Sequence, residues 1–129
     1  MSTPNTDPSD RRPPVTERVT AALEALNDEF VAVAAERPDT ATGHSDRAYR
    51  LAFICARRAG WWRLLLARPH RREISLLFAR AVFHTAAAQQ SQARFWRDAA
   101  ADWSARAERR PTSDAAGAMS NHHDLGIAS

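Results

Sequence analysis

The stretch from His70 to Arg110 contains neither Gly nor Pro, and Pro69 and Pro111 bracket it. Its apolar residues recur at intervals of three and four, which is the period of an α-helix packed on one side. We therefore predict one long helix over 70–110. At about 1.5 Å per residue it would reach roughly 60 Å, which is longer than a small domain needs, so a bend is expected.

Projected at about 100° per residue, eleven residues of this segment, most of them apolar, fall on one face. They are Ile74, Leu77, Phe78, Ala81, Thr85, Ala88, Gln92, Phe95, Trp96, Ala99 and Trp103. This face is expected to form the core seam, and other helices must cover it. The part of this face with the least apolar surface is 84–93, where small and polar residues predominate. That part is expected to pack closely or not at all.

Two shorter helices are predicted before the long one. The first begins near Thr16, a possible N-cap, and ends near Glu36 because Arg37-Pro38 disfavours its continuation. Its seam is Val19, Ala22, Leu23, Leu26, Phe30 and Val33. The second is expected to begin near Asp46 with Ser45 as its N-cap. Its apolar arc is Ala48, Leu51, Ala52, Cys55, Ala59, Trp62 and Leu66.

A second arc of this helix mixes apolar and basic residues if the helix continues through Gly60. Ile54, Trp61 and Leu65 would then lie beside Arg57 and Arg58. Either Gly60 ends the helix, or another helix covers the mixed arc. A Gly within a helix costs only about 1 kcal/mol relative to Ala, which does not decide between the two.

The chain shows no strand pattern and no internal repeat. It is predicted to be all-α, a small three-helix bundle built on one long C-terminal helix. Residues 1–14 hold four of the seven Pro, so they are expected to form a disordered arm. The helical domain is expected over 15–110. Residues 111–129 are small and polar, and they are expected to form a disordered tail.

Charge is distributed unevenly along the chain. All 18 cationic residues are Arg, and the excess of Arg and Ala is typical of a GC-rich coding bias rather than of selection for phosphate contacts. Residues 15–43 carry two Arg and six acids, a balance of −4, whereas residues 44–110 carry 14 Arg and five acids, a balance of +9. The predicted first helix is therefore acidic, and the other two are basic.

The single cysteine, Cys55, excludes an intramolecular disulfide and a Cys-based metal cluster. The N-terminus lacks the basic and apolar regions of a secretory signal, and the most apolar window, 59–67, is too short to cross a bilayer. We expect a cytoplasmic protein without membrane contact.

Two short runs contain residue types found in catalytic or metal sites: 44–46 (His-Ser-Asp) and 122–124 (His-His-Asp). Consecutive residues cannot generally converge on one substrate carbonyl, so helix capping is favoured for the first run. The second run lacks another pair of ligands at suitable spacing. Asp98 and Asp102 each have an Arg four residues away, which indicates surface pairs. No enzymatic activity, cofactor or metal is expected.

Six arginines surround the predicted turn between the second and third helices, with Trp61 and Trp62 among them. We call them the basic elbow: Arg57, Arg58, Arg63, Arg68, Arg71 and Arg72. They could neutralise phosphates while the Trp rings stack on bases. Alternatively, the acidic first helix neutralises them within the molecule. A helix-turn-helix over 52–71 is disfavoured because Pro69 would interrupt its recognition helix.

Large aliphatic residues and Phe are scarce, and the first helix is about half as long as the third, so self-association would add buried area. The surface expected to face another subunit comprises Phe95, Trp96, Ala99 and Trp103. The leading hypothesis is a non-enzymatic helical protein-interaction or self-associating module of a bacterial cytoplasm, with a protein partner or a second copy. The alternative is a nucleic-acid-binding accessory or regulatory protein that uses the basic elbow.

Overall fold

A computed structural model describes residues 13–67, 70, 72 and 74–115, with side chains as far as Arg109. It contains three helices, α1 Val15–Ala34, α2 Ala41–Leu64 and α3 Leu76–Ala115, and the described residues include no strand. The predicted all-α bundle with one long C-terminal helix is confirmed. The predicted arm, 1–14, and the predicted tail, 111–129, lie mostly outside the described residues.

Helix α2 begins five residues earlier than predicted. The Thr40 side chain accepts a hydrogen bond from the backbone N–H of Gly43, with 2.9 Å between Oγ1 and N, and Thr40 is therefore the N-cap. The prediction that Ser45 caps this helix is wrong. Ser45 is buried, and its hydroxyl donates to the backbone carbonyl of Ala100 in α3, with 3.0 Å between the oxygens.

Helix α3 begins at Leu76 rather than at His70. The Ser75 hydroxyl accepts a hydrogen bond from the backbone N–H of Phe78, with 3.1 Å between the two atoms, and so satisfies one donor of the first turn. The helix then continues to Ala115, past the end predicted at Arg110. Its 40 residues correspond to about 60 Å.

Helix α2 lies between α1 and α3 and runs antiparallel to both. The hydrogen bond from Ser45 to Ala100 joins the start of α2 to the later part of α3. A guanidinium N–H of Arg47 donates to the carbonyl of Ala34, which joins the start of α2 to the end of α1. Within the described part of the chain, none of the helices is long and apolar enough to span a membrane.

The core consists of two clusters along α2. Their buried residues are Val15, Val19, Leu65 and Val82 in the first, and Leu26, Val33, Leu51 and Ile54 in the second. Trp61 is half-buried and packs against both clusters. Three buried residues of α1 and five of α2 agree with the predicted seams: Val19, Leu26, Val33, Ala48, Leu51, Ala52, Cys55 and Ala59.

The mixed arc of α2 is covered rather than interrupted. The helix is continuous through Gly60, while Ile54 and Leu65 are buried. Because α2 packs against α1 on one flank and α3 on another, it needs two apolar arcs. Arginines share the arc toward α1, and their heads reach the edges of that contact.

The prediction of which face of α3 is buried is wrong in detail. The buried residues of α3 are Ala79, Val82, Ala86, Ala93 and Ala100, a set spaced at three, four and seven residues. In contrast, Leu77 is 79% exposed and Phe95 is 62% exposed. The physical reason is that α2 presents mainly Ala and Cys to α3, so the two backbones approach closely and leave no room for large side chains between them.

We predict opposite effects of Ala substitution at two glycines of α2. A Cβ on Gly60 would meet nothing within 4 Å, so Gly60→Ala should raise the free energy of unfolding by up to about 1 kcal/mol through helix propensity. A Cβ on Gly43 would lie 2.9 Å from Cβ of Pro38, so Gly43→Ala should destabilise the fold. Urea denaturation checks both, and a destabilising Gly60→Ala would contradict the exposed position of Gly60.

Candidate interaction surface

One long side of the α2–α3 pair faces away from α1. On the α1 side, Arg47 bonds to Ala34, and the guanidinium of Arg58 lies 4.5 Å from the ring centroid of Phe30. Helical periodicity places another stripe of α2, and of the turn after it, on the opposite side. We call this stripe, together with the α3 residues that border it, the open face. Its residues are Ala56, Gly60, Arg63, Leu66, Ala67, Leu76, Phe83 and Ala87.

The open face combines exposed apolar side chains with concave shape. Leu76 is 79% exposed and Phe83 is 61% exposed. Two cavities of about 370 Å³ each lie along it, and they adjoin because Leu66 and Phe83 line both. Arg63, Ala67 and Ala87 complete the lining of one cavity, together with Ala86 of the α3 seam. Small residues on both helices therefore form a shallow apolar groove between larger ones.

The groove is bordered by positive charge. Arg63 donates from Nη2 to the Gln90 side-chain oxygen at 3.4 Å, while Arg80 and Arg94 are exposed on α3, seven residues to either side of Ala87. Between residues 47 and 97 the sequence contains a single acid, Glu73, and acids resume at Asp98. The electrostatic potential along the groove is therefore expected to be positive.

The basic elbow is divided by the structure. Arg58 faces α1, whereas Arg63 lies on the open face; Arg57 and Arg72 are exposed. Arg68 and Arg71 lie outside the described residues. The six arginines were predicted as one patch because they are close in sequence, but the helical periodicity of α2 directs its three elbow arginines to different sides.

One arginine of α2 is neutralised by a carboxylate two residues after the end of α1. Arg50 forms an ion pair with Glu36 through two hydrogen bonds, the only salt bridge between described residues. These bonds lower the pKa of the Glu36 carboxyl and raise the pKa of the Arg50 guanidinium. Arg50 is not part of the basic elbow, so within the described residues no ion pair joins α1 to the elbow.

The four residues predicted to face another subunit occupy different environments. Trp96 is half-buried against the second core cluster, and the Trp103 ring stacks on His44 with 4.2 Å between centroids. Ala99 is half-buried, and Phe95 is exposed. Trp96 and Trp103 thus contact other helices of the same chain. A separate cavity of about 420 Å³ beside the stacked pair is lined by Asp39, Thr40, Ala41, His44, Trp103, Arg106 and Arg109.

The structure also places the first run of candidate catalytic residues. Ser45 bonds to Ala100 while His44 stacks on Trp103, so these two side chains do not form a nucleophile–base pair. The second run, 122–124, lies outside the described residues. Among the described residues there is no group of three His, Cys, Asp or Glu positioned to hold a metal ion.

Sequence reasoning identified Arg63 but missed the rest of the groove. Leu76, Phe83 and Ala87 were not predicted as interaction residues because the face predicted as the α3 seam lies one residue, about 100° around the helix, away from the buried face. The regular spacing of Ala79, Val82, Ala86, Ala93 and Ala100 is the signal that could have located the seam and hence the groove beside it.

Comparisons with protein-family models, curated proteins and solved structures find no match to this chain.

The thiol of Cys55 is fully buried between α2 and α3 and lies 3.8 Å from the Gln92 side-chain oxygen. Burial raises the pKa of this thiol, although nearby Arg58 acts in the opposite direction. We predict that a thiol-reactive dye at pH 8 labels Cys55 slowly in the folded protein and rapidly in denaturant. Equal rates in the two conditions would contradict its burial.

Proposed function

We propose that this chain is a non-enzymatic helical interaction module of the bacterial cytoplasm, and that its open face binds a helix of a partner protein or of another copy. The observation that carries the proposal is the exposure of Leu76 and Phe83 beside a groove of small residues. Helix-in-groove recognition uses this combination, because small residues admit a helix and larger apolar residues flank it.

Energetics support the same role. Each large apolar side chain that moves from water into an interface contributes about 1.5–3 kcal/mol. The exposed areas of Leu76 and Phe83 are therefore a source of binding energy. Arginines beside the groove can steer an acidic helix toward it and orient that helix once bound. Binding of this kind requires no catalytic group.

We predict that the open face binds an acidic amphipathic helix. The probe is a labelled peptide of about 20 residues, roughly 30 Å as a helix, with Leu on one side and Glu on the other. Fluorescence anisotropy should show saturable micromolar binding that Ala87→Trp abolishes, because the indole fills the cavity beside Phe83.

The matched control is Ala88→Trp, at an exposed neighbouring position about 100° around the helix. This variant should bind the peptide like the parent, and circular dichroism should show both variants to be equally helical. Absence of binding by the parent, or equal binding by Ala87→Trp, would refute a helix-binding role for this face.

Nucleic-acid binding is the second candidate, and the exposure of Arg57, Arg63 and Arg72 favours it. No ion pair between described residues involves these arginines, so their guanidinium groups are accessible to phosphates. The apolar groove favours the first candidate, because leucine and alanine side chains offer no partner to phosphates.

We predict the salt dependence of any duplex DNA binding. If the elbow contacts phosphates, the log–log slope should be about −0.9 per contact, and replacing both Arg57 and Arg63 by Ala should flatten it by up to about two units. Arg50→Ala is the control, because Arg50 already pairs with Glu36. Binding that is weak at physiological salt, or a slope that the double variant leaves unchanged, would argue against this function.

A further inference from the structure

We propose that the occupant of the open face is the outer side of α1 from a second copy of this chain, so that copies associate head to tail. This inference rests on the proposed function and names the partner of the same face. Two observations support it: the open face and the outer side of α1 carry opposite charges, and they lie on opposite flanks of one molecule.

The outer side of α1 is acidic. Its residues are Glu17, Thr20, Ala21, Glu24, Asp28 and Val31, and all are exposed. They lie on the side opposite the buried Val19, Leu26 and Val33. The only cation in the α1 sequence is Arg18, which is half-buried. Three carboxylates therefore face solvent on a surface without a cationic side chain.

The open face supplies the complementary charge. Arg63, Arg80 and Arg94 border its groove, and the sequence from 74 to 97 contains no acidic residue. Opposite potentials favour docking of α1 on the groove, whereas placing two open faces together would bring like charges into contact. Charge thus favours a heterologous contact over a two-fold symmetric one.

Size and shape agree with this pairing. Helix α1 has 20 residues, about 30 Å, and α3 advances by about 27 Å from Leu76 to Arg94, which borders the groove. The outer side of α1 carries the small Ala21 and also Val31, which is 67% exposed. Val31 provides an apolar side chain for a cavity beside Phe83, while the small residues on both surfaces permit close approach of the helices.

The two surfaces lie on opposite flanks of the molecule, since α1 packs on one side of α2 and the open face is on the other. A contact between unlike surfaces leaves one of each free at the ends of any pair. Association therefore continues into a chain of subunits or closes into a ring. A single helix in a groove buries less area than a standard interface, so each contact is expected to be weak.

Two variants test this arrangement, each disabling one surface. Ala87→Trp blocks the groove, and Glu24→Arg combined with Asp28→Arg reverses the charge of the outer side of α1. Sedimentation analysis at high micromolar concentration should show the 14.3 kDa parent forming larger species that dissociate as salt rises. Each variant alone should remain monomeric.

Mixing the two variants gives the decisive result. The intact α1 of Ala87→Trp can dock on the intact groove of the charge-reversed variant, so the mixture should form a one-to-one dimer and nothing larger. Ala88→Trp should associate like the parent. Mixed variants that stay monomeric, or a parent dimer that neither variant disrupts, would overturn head-to-tail association. The peptide experiment separates this failure from failure of the proposed function, because the groove could bind an acidic helix of another protein instead.

Discussion

The close approach of α2 and α3 determines the rest of the structure. Both helices contribute mainly alanine to their contact, as at Ala52 and Ala59 in α2 and Ala86 and Ala93 in α3. Such side chains bury little area individually, but they bring the two backbones near each other over a long distance, and dispersion contacts accumulate along it. The hydrogen bond from the Ser45 hydroxyl to the α3 backbone is possible only because the helices are this close.

Close packing at the seam leaves the large side chains at its margins. On one margin, Trp61 and Trp96 pack with the apolar residues of α1, which completes the core. On the other margin, Leu76 and Phe83 remain exposed beside the open face. The α2–α3 pair therefore has one flank covered by α1 and, opposite it, an accessible flank. A fourth helix packed on the accessible flank would complete a four-helix arrangement.

The same division explains the arginines. Arg47 and Arg58 lie over Trp96 and Phe30 on the covered flank, where their aliphatic stems pack and their charges contact aromatic rings. Arg63 has the opposite orientation. Composition alone cannot distinguish these roles, because a coding bias toward arginine places the residue on every side of a helix. The position of each arginine around the axis of α2 does distinguish these roles.

The sequence by itself determined the helical class, the three helices and the buried faces of α1 and α2, because local periodicity and the breaks near Pro38 and Pro69 are properties of the chain alone. Tertiary structure decided which face of α3 is buried. A hydrophobic projection favours large residues such as Leu77 and Phe95, but the alanines of α2 can be approached closely only by small residues. The groove beside Phe83 exists because the packing of α2 against α3, rather than the sequence of α3 alone, sets the space available to each α3 side chain.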